Sequence, residues 1–98
     1  MIKVGEHITL DIIGTIKEYD PSVYERVIKK IAKAADVTIL NISKYKFEPQ
    51  GFTILALLAE SHISFHTFPE KGIISFDFFT CGKISPSVAF DIVTDEFE

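Results

Sequence analysis

The chain has 98 residues, a net charge of −4, 47% hydrophobic residues and 12% aromatics. One domain with a packed core fits these figures, and disorder does not; the acidic balance excludes a basic nucleic-acid face. A single cysteine allows no internal disulfide and points to a reducing compartment. No basic region followed by an apolar run opens the chain, and no apolar stretch reaches the length of a membrane span. The expectation is a cytoplasmic protein with neither nucleic acid nor membrane as partner.

His7 to Ile13 alternates Ile8, Leu10 and Ile12 with Thr9, Asp11 and Ile13, which predicts a half-buried strand ended by Gly14 and a loop over 15–19. Asp20-Pro21 is an N-cap followed by proline at the first helical position. Val23, Val27, Ile28, Ile31, Ala34 and Ala35 recur at helical spacing, so 21–35 is an amphipathic helix. Val37 to Phe47 is a second strand, with Lys44 and Lys46 on one side and Tyr45 and Phe47 on the other. Pro49-Gln50-Gly51 is a turn. The third strand runs from Phe52 through 66 and is stopped by Pro69. Lys71-Gly72 turns the chain into a fourth strand, Ile73 to Cys81, which Gly82 breaks. Ser85-Pro86 repeats the cap signal before a helix carrying Val88, Ala89, Ile92, Val93 and Phe97.

The order β-α-β-β-β-α predicts an α+β two-layer sandwich: an antiparallel four-stranded sheet with two helices on one face. Strands two and four are apolar on both sides, so the sheet's other face should meet a second subunit or a ligand. That face would carry Ile39, Tyr45 and Phe47, or their neighbours of opposite parity.

Residues 58–70, Leu-Ala-Glu-Ser-His-Ile-Ser-Phe-His-Thr-Phe-Pro-Glu, concentrate titratable groups in an apolar strand. Buried polar groups are costly unless paired or used. Singly, each such histidine or serine reads as a satisfied polar group, and Cys81 as a small packed hydrophobe. His62 and His66 are four apart, but on a strand that separates them by about 13 Å, too far for one zinc ion, and no metal is expected. Cys81 with a histidine could form a thiol–imidazole pair, though nothing local marks the thiol as activated.

A-E-S-H-I-S-F-H-T-F-P-E over 59–70, with D-F-F-T-C-G over 77–82, closely resembles the bacterial and archaeal class of S-adenosylmethionine decarboxylase proenzymes. Gly5-Glu6-His7 and Phe47 through Gly51 also follow that pattern. The resemblance implies self-cleavage between Glu60 and Ser61, giving fragments 1–60 and 61–98, with Ser61 converted to a covalent pyruvoyl group that forms the Schiff base with substrate. It implies that His66 transfers protons during processing, that Thr53 supports the cyclic intermediate, and that Cys81 reprotonates the product carbon. It further implies that Phe47 and Glu70 line the nucleoside pocket, and that processed protomers pair as a homodimer. The family often has tryptophan or tyrosine where this chain has Phe68.

The chemistry suits the residue types. Decarboxylation needs an electron sink, the carbanion needs an acid, and a thiol of pKa about 8.5 is protonated at neutral pH. Two other functions are compatible with the pattern: an arginine decarboxylase of the same fold, and a non-processing binding paralogue. Loss of Ser61, His66 or Cys81 would mark the latter, and all three are present. Ser61 and His66 have opposite strand parity, so their cooperation requires a turn or bulge near Glu60-Ser61.

Overall fold

Alternating apolar positions build five strands, and helical spacing builds two helices: β1 (Glu6–Ile13), α1 (Pro21–Ala34), β2 (Ile39–Lys46), β3 (Phe52–Leu58), β4 (Ser61–Phe68), β5 (Ile73–Thr80) and α2 (Val88–Phe97). The computed structural model describes residues 4–14 and 20–97, and the loop expected over 15–19 lies outside the described residues. The strands form one sheet in the order β1-β5-β4-β3-β2, and every neighbouring pair is antiparallel.

The α+β sandwich is as expected, but the strand count is five rather than four. Residues 52–66 are two strands joined by a two-residue turn at Ala59-Glu60, with Leu58 paired to Ser61. Neither turn residue is glycine or proline, so the sequence carries no punctuation there. The turn requires Glu60 to take φ +61°, a left-handed conformation that costs a non-glycine residue roughly 1–2 kcal/mol. The burial pattern then makes sense. Phe52, Ile54, Ala56 and Leu58 of β3 and Ser61, Ile63, Phe65 and Thr67 of β4 are all buried. A straight strand would have put these two sets on opposite faces; the turn puts them on one.

That face carries the core. Tyr24 of α1 is wholly buried; its ring meets Phe52 and Phe65 edge-on at 4.9 and 5.2 Å and stacks on Phe97 of α2 at 4.7 Å. Asp20 caps α1 as expected, its carboxylate accepting from the Ser22 N–H at 3.0 Å. That backbone bond holds the Asp20 carboxyl below its ordinary pKa. Lys44 points to the helical side and pairs with Glu25 of α1 at 3.1 Å. The second cap signal sits a turn early: the Ser85 hydroxyl accepts from Ser87 N–H at 3.2 Å, and α2 starts at Val88. Gly72, at φ +66°, closes the turn before β5 and receives no side chain without striking the Gly14 carbonyl.

A bulge between Ile39 and Asn41 shifts the register of β2 against β3. It corrects the expected grouping of Ile39 with Tyr45. Ile39 turns to the core, while Tyr45 stays on the opposite face. There Leu55, Leu57 and Tyr45 are 45%, 53% and 67% exposed, beside a polar field of histidines, serines and aspartates.

Candidate functional site

The expected site residues fall into two groups at opposite ends of β4. Ser61 opens the strand on the helix-facing side, 8% exposed. Its hydroxyl donates to Thr80 Oγ1 at 3.2 Å, and Thr80 is its cross-strand partner in β5. Thr80 also accepts from the Gly82 N–H at 3.0 Å and pairs with Glu6 of β1 on its other side. Cys81 follows directly, just past the end of β5, with an exposed thiol. The cleft here has a volume of about 260 Å³ and is lined by Glu6, Thr80, Cys81 and Gly82. Antiparallel pairing of β4 with β5 thus puts the strand carrying the cysteine beside Ser61.

The second group lies at the other end of the sheet. His66 Nδ1 is 2.9 Å from Thr53 Oγ1, its cross-strand partner in β3. Phe47 and Glu70 join them around a cleft of about 250 Å³, with Gln50 and Phe68. Two local contacts hold this corner. The Phe47 N–H donates to Gly51 O at 2.8 Å, and Thr67 Oγ1 accepts from Phe52 N–H at 2.9 Å.

The turn at Ala59-Glu60 does not unite the groups. Ser61 and His66 both belong to β4, five residues apart, so their Cα atoms are roughly 16 Å apart. Ser61 faces the helices and His66 the open side. Within one chain His66 cannot reach Ser61.

Between the two groups lies a cluster that sequence reasoning missed. On the open face His7 Nε2 and His62 Nε2 approach Asp77 Oδ2 at 2.6 and 2.9 Å, and the Ser64 hydroxyl donates to Asp77 Oδ1. Partial burial pushes the Asp77 carboxyl up, but the hydrogen bonds from Ser64, His62 and His7 outweigh it and hold the group below its usual range. A cavity of about 510 Å³ is lined by His62, Ser64 and Asp77 together with Asp11, Leu55 and His66. The sequence signal existed only as parity: His62, Ser64 and His66 share one face of a strand. His7 and Asp77, seventy positions apart, converge only through the β1–β5 pairing.

The fold and these groups define a class: a small two-layer α+β domain with a buried serine at a strained turn, an exposed thiol just past the end of the neighbouring strand, and a threonine–histidine pair at a separate corner. Residues 6–98 match the family model described as S-adenosylmethionine decarboxylase, and the chain belongs to that family. It is 44% identical over 98 residues to the S-adenosylmethionine decarboxylase proenzyme of Synechococcus sp. (strain WH7803), covering 97% of this chain and 77% of the relative. It is 42% identical over 85 residues to that of Methanococcus vannielii, covering 85% and 70%. The crystal structure of the adenosylmethionine decarboxylase from Aquifex aeolicus VF5 superimposes with a TM-score of 0.79 at 32% identity, over 96% of this chain and 80% of that one. Among the described residues no helix is long and apolar enough to cross a membrane.

Proposed function

We propose that this chain is a self-processing decarboxylase of S-adenosylmethionine, supplying the aminopropyl donor of polyamine synthesis. One observation of the structure carries the reading: Ser61 follows a left-handed Glu60 in a two-residue turn. Strain of this kind persists where the surroundings over-determine it, and here it lies at the bond the family's chemistry would cut. Ser61 Oγ attacks the Glu60 carbonyl carbon, and collapse with loss of the amide C–N bond leaves an ester. A base removes the Ser61 Cα proton and the Glu60 carboxylate departs with Oγ. The resulting dehydroalanine tautomerises to an imine, and water hydrolyses it to ammonia and a pyruvoyl group capping residues 61–98. That group supplies the electron sink for loss of CO₂.

The chain's own residues fit the group. Thr80 orients the Ser61 hydroxyl, the Cys81 thiol stands one residue beyond and is able to deliver a proton, and no described buried polar side chain lacks a partner. The reading assigns His66 and Thr53 to proton transfer in processing, and Phe47 and Glu70 to the nucleoside, in the cleft they share. The separation of the two groups leads to a further part of the reading. A complete site takes Ser61 and Cys81 from one subunit and His66, Thr53, Phe47 and Glu70 from a second, in a homodimer. The exposed Leu55, Leu57 and Tyr45 face supplies the apolar surface such an interface needs. Arginine decarboxylation and a non-processing paralogue are not favoured, because these relatives carry the S-adenosylmethionine name and Ser61, His66 and Cys81 are all retained.

The test is intact mass. Purified protein should yield fragments 1–60 and 61–98, the second blocked at its N-terminus, and should release CO₂ from carboxyl-labelled S-adenosylmethionine. Ser61→Ala should remain one chain. A full-length mass after prolonged incubation, or cleavage of Ser61→Ala at the same bond, would overturn the reading.

A further inference from the structure

The cluster at the middle of the open face is assigned no role in the chemistry above. We propose that His7 Nε2, His62 Nε2 and a carboxylate oxygen of Asp77 form a binding site for one divalent transition-metal ion, zinc foremost. Three strands contribute one ligand each, β1, β4 and β5, and the three donor atoms lie within 4.8 Å of one another. The approaches of 2.6 and 2.9 Å to Asp77 Oδ2 are close to what an ion needs. Zinc bonds of about 2.0–2.2 Å in a tetrahedron put neighbouring donors roughly 3.3 Å apart. The two carboxylate–imidazole separations need to widen by only about 0.4–0.7 Å to meet that figure, and the two imidazole nitrogens lie within 4.8 Å of each other.

The surroundings are organised as a metal site's are. The Ser64 hydroxyl holds Asp77 Oδ1, leaving Oδ2 directed at the two imidazoles; outer hydrogen bonds of this kind fix ligand carboxylates. Phe79 stands between the histidines in the sheet, its cross-strand partners being His7 and His62. Its ring lies nearly parallel to His62 at 6.1 Å and edge-on to His7 at 6.0 Å, so one aromatic ring flanks both imidazoles. An imidazole–carboxylate ion pair needs only one histidine. Here the second imidazole brings its Nε2 to the same oxygen, giving an N₂O donor set that suits zinc, cobalt or nickel and not magnesium or calcium. Three protein ligands leave a fourth tetrahedral position open. An ion bound there clamps β1 to β4 across β5, one residue from Ser61. The site is distinct from the His62–His66 pair whose strand spacing excludes a shared ion.

Cobalt(II) is the probe. Tag-free full-length protein, stripped with EDTA and dialysed, is titrated with CoCl₂ while visible absorption is recorded. The expected result is d–d bands of tetrahedral intensity that saturate at one ion per chain and vanish when ZnCl₂ is added. Asp77→Asn and His62→Gln should each weaken binding by about 100-fold or more, and Ser64→Ala by about 10–100-fold. His66→Gln and Cys81→Ala should bind as the parent does. The parent titration stands even if a variant fails to fold. No bands from the parent protein would overturn the proposal, as would binding that persists in Asp77→Asn or is lost in Cys81→Ala. None of these readouts uses decarboxylation, so the metal site and the enzymatic reading fail separately.

Discussion

Ser61 enters β4 with its hydroxyl already engaged, and the partner is a residue the sequence pattern did not single out. Thr80, 2% exposed, accepts from Ser61 Oγ and from the Gly82 backbone, so it fixes the Ser61 hydroxyl and the start of the cysteine segment together. Thr80→Val keeps the shape and removes the acceptor. One hydrogen bond of this kind contributes about 0.5–1.5 kcal/mol, so self-cleavage should slow by roughly 3- to 10-fold, while Thr80→Ser cleaves near the parent rate; time-resolved intact mass reads both. The proposed function assigns Cys81 to a later step. Its thiol is exposed, so alanine there leaves no cavity, and the processed variant should keep its fold. Turnover on S-adenosylmethionine by processed Cys81→Ala should fall by about 10²–10⁴-fold, the usual worth of a general acid. Unchanged turnover would remove the thiol from the reaction.

Among the elements, the β3–β4 hairpin decides where the chemistry sits, and it was the least legible part of the chain. The helices were readable because Asp20-Pro21 and the spacing of Val27, Ile28 and Ile31 all point one way. The strands β1 and β5 were readable from alternation and from Gly82. The break at Ala59-Glu60 was not, because its left-handed residue is glutamate, and the conformation is imposed by pairing Leu58 with Ser61 rather than by local preference. The polar stretch 58–70 was legible as a concentration of titratable groups; that its serine and its second histidine face opposite sides was legible only as an unresolved conflict of parity. His7 with Asp77 needed the β1–β5 register, which no local pattern encodes. Two stability predictions belong to this scale. Phe65→Ala empties the space against Tyr24, Phe76 and Phe97 and should cost about 3–5 kcal/mol in denaturant unfolding. At the helix start, Asp20→Ala should lower the melting temperature more than Asp20→Asn does, since asparagine keeps the capping oxygen and loses only the charge. The Ser22 N–H bond holds the Asp20 carboxyl below the ordinary aspartate range in the folded protein. The charge-dependent part of its contribution is therefore complete above the unfolded pKa and fades as pH falls through the lower folded value, so the gap between the parent and Asp20→Ala melting temperatures should narrow in strong acid.

For the whole molecule, the proposed two-ended site would make assembly part of the chemistry. Sedimentation should give a dimer at micromolar concentration; a stable monomer that still processes would refute the shared site. A sharper check mixes two inactive chains. Ser61→Ala retains His66, and His66→Ala retains Ser61, so co-expressed together they should restore one working site per mixed dimer and cleave only the His66→Ala chain. Cleavage within one chain would leave both intact. The two-residue turn at Ala59-Glu60 carries a last consequence. Before the cut, it tethers β3 to β4 by the shortest link in the sheet, and each protomer's folding is that of a single chain. After the proposed cut the same ladder would join separate polypeptides, so melting would become a dissociation and the effective concentration supplied by the tether would be lost. The processed protein should melt at temperatures that rise with its concentration more steeply than those of Ser61→Ala, and after full denaturation its fragments should regain structure slowly if diluted. Maturation at this turn would thus be a one-way passage, with the uncut chain the form that folds and the nicked form the one that works.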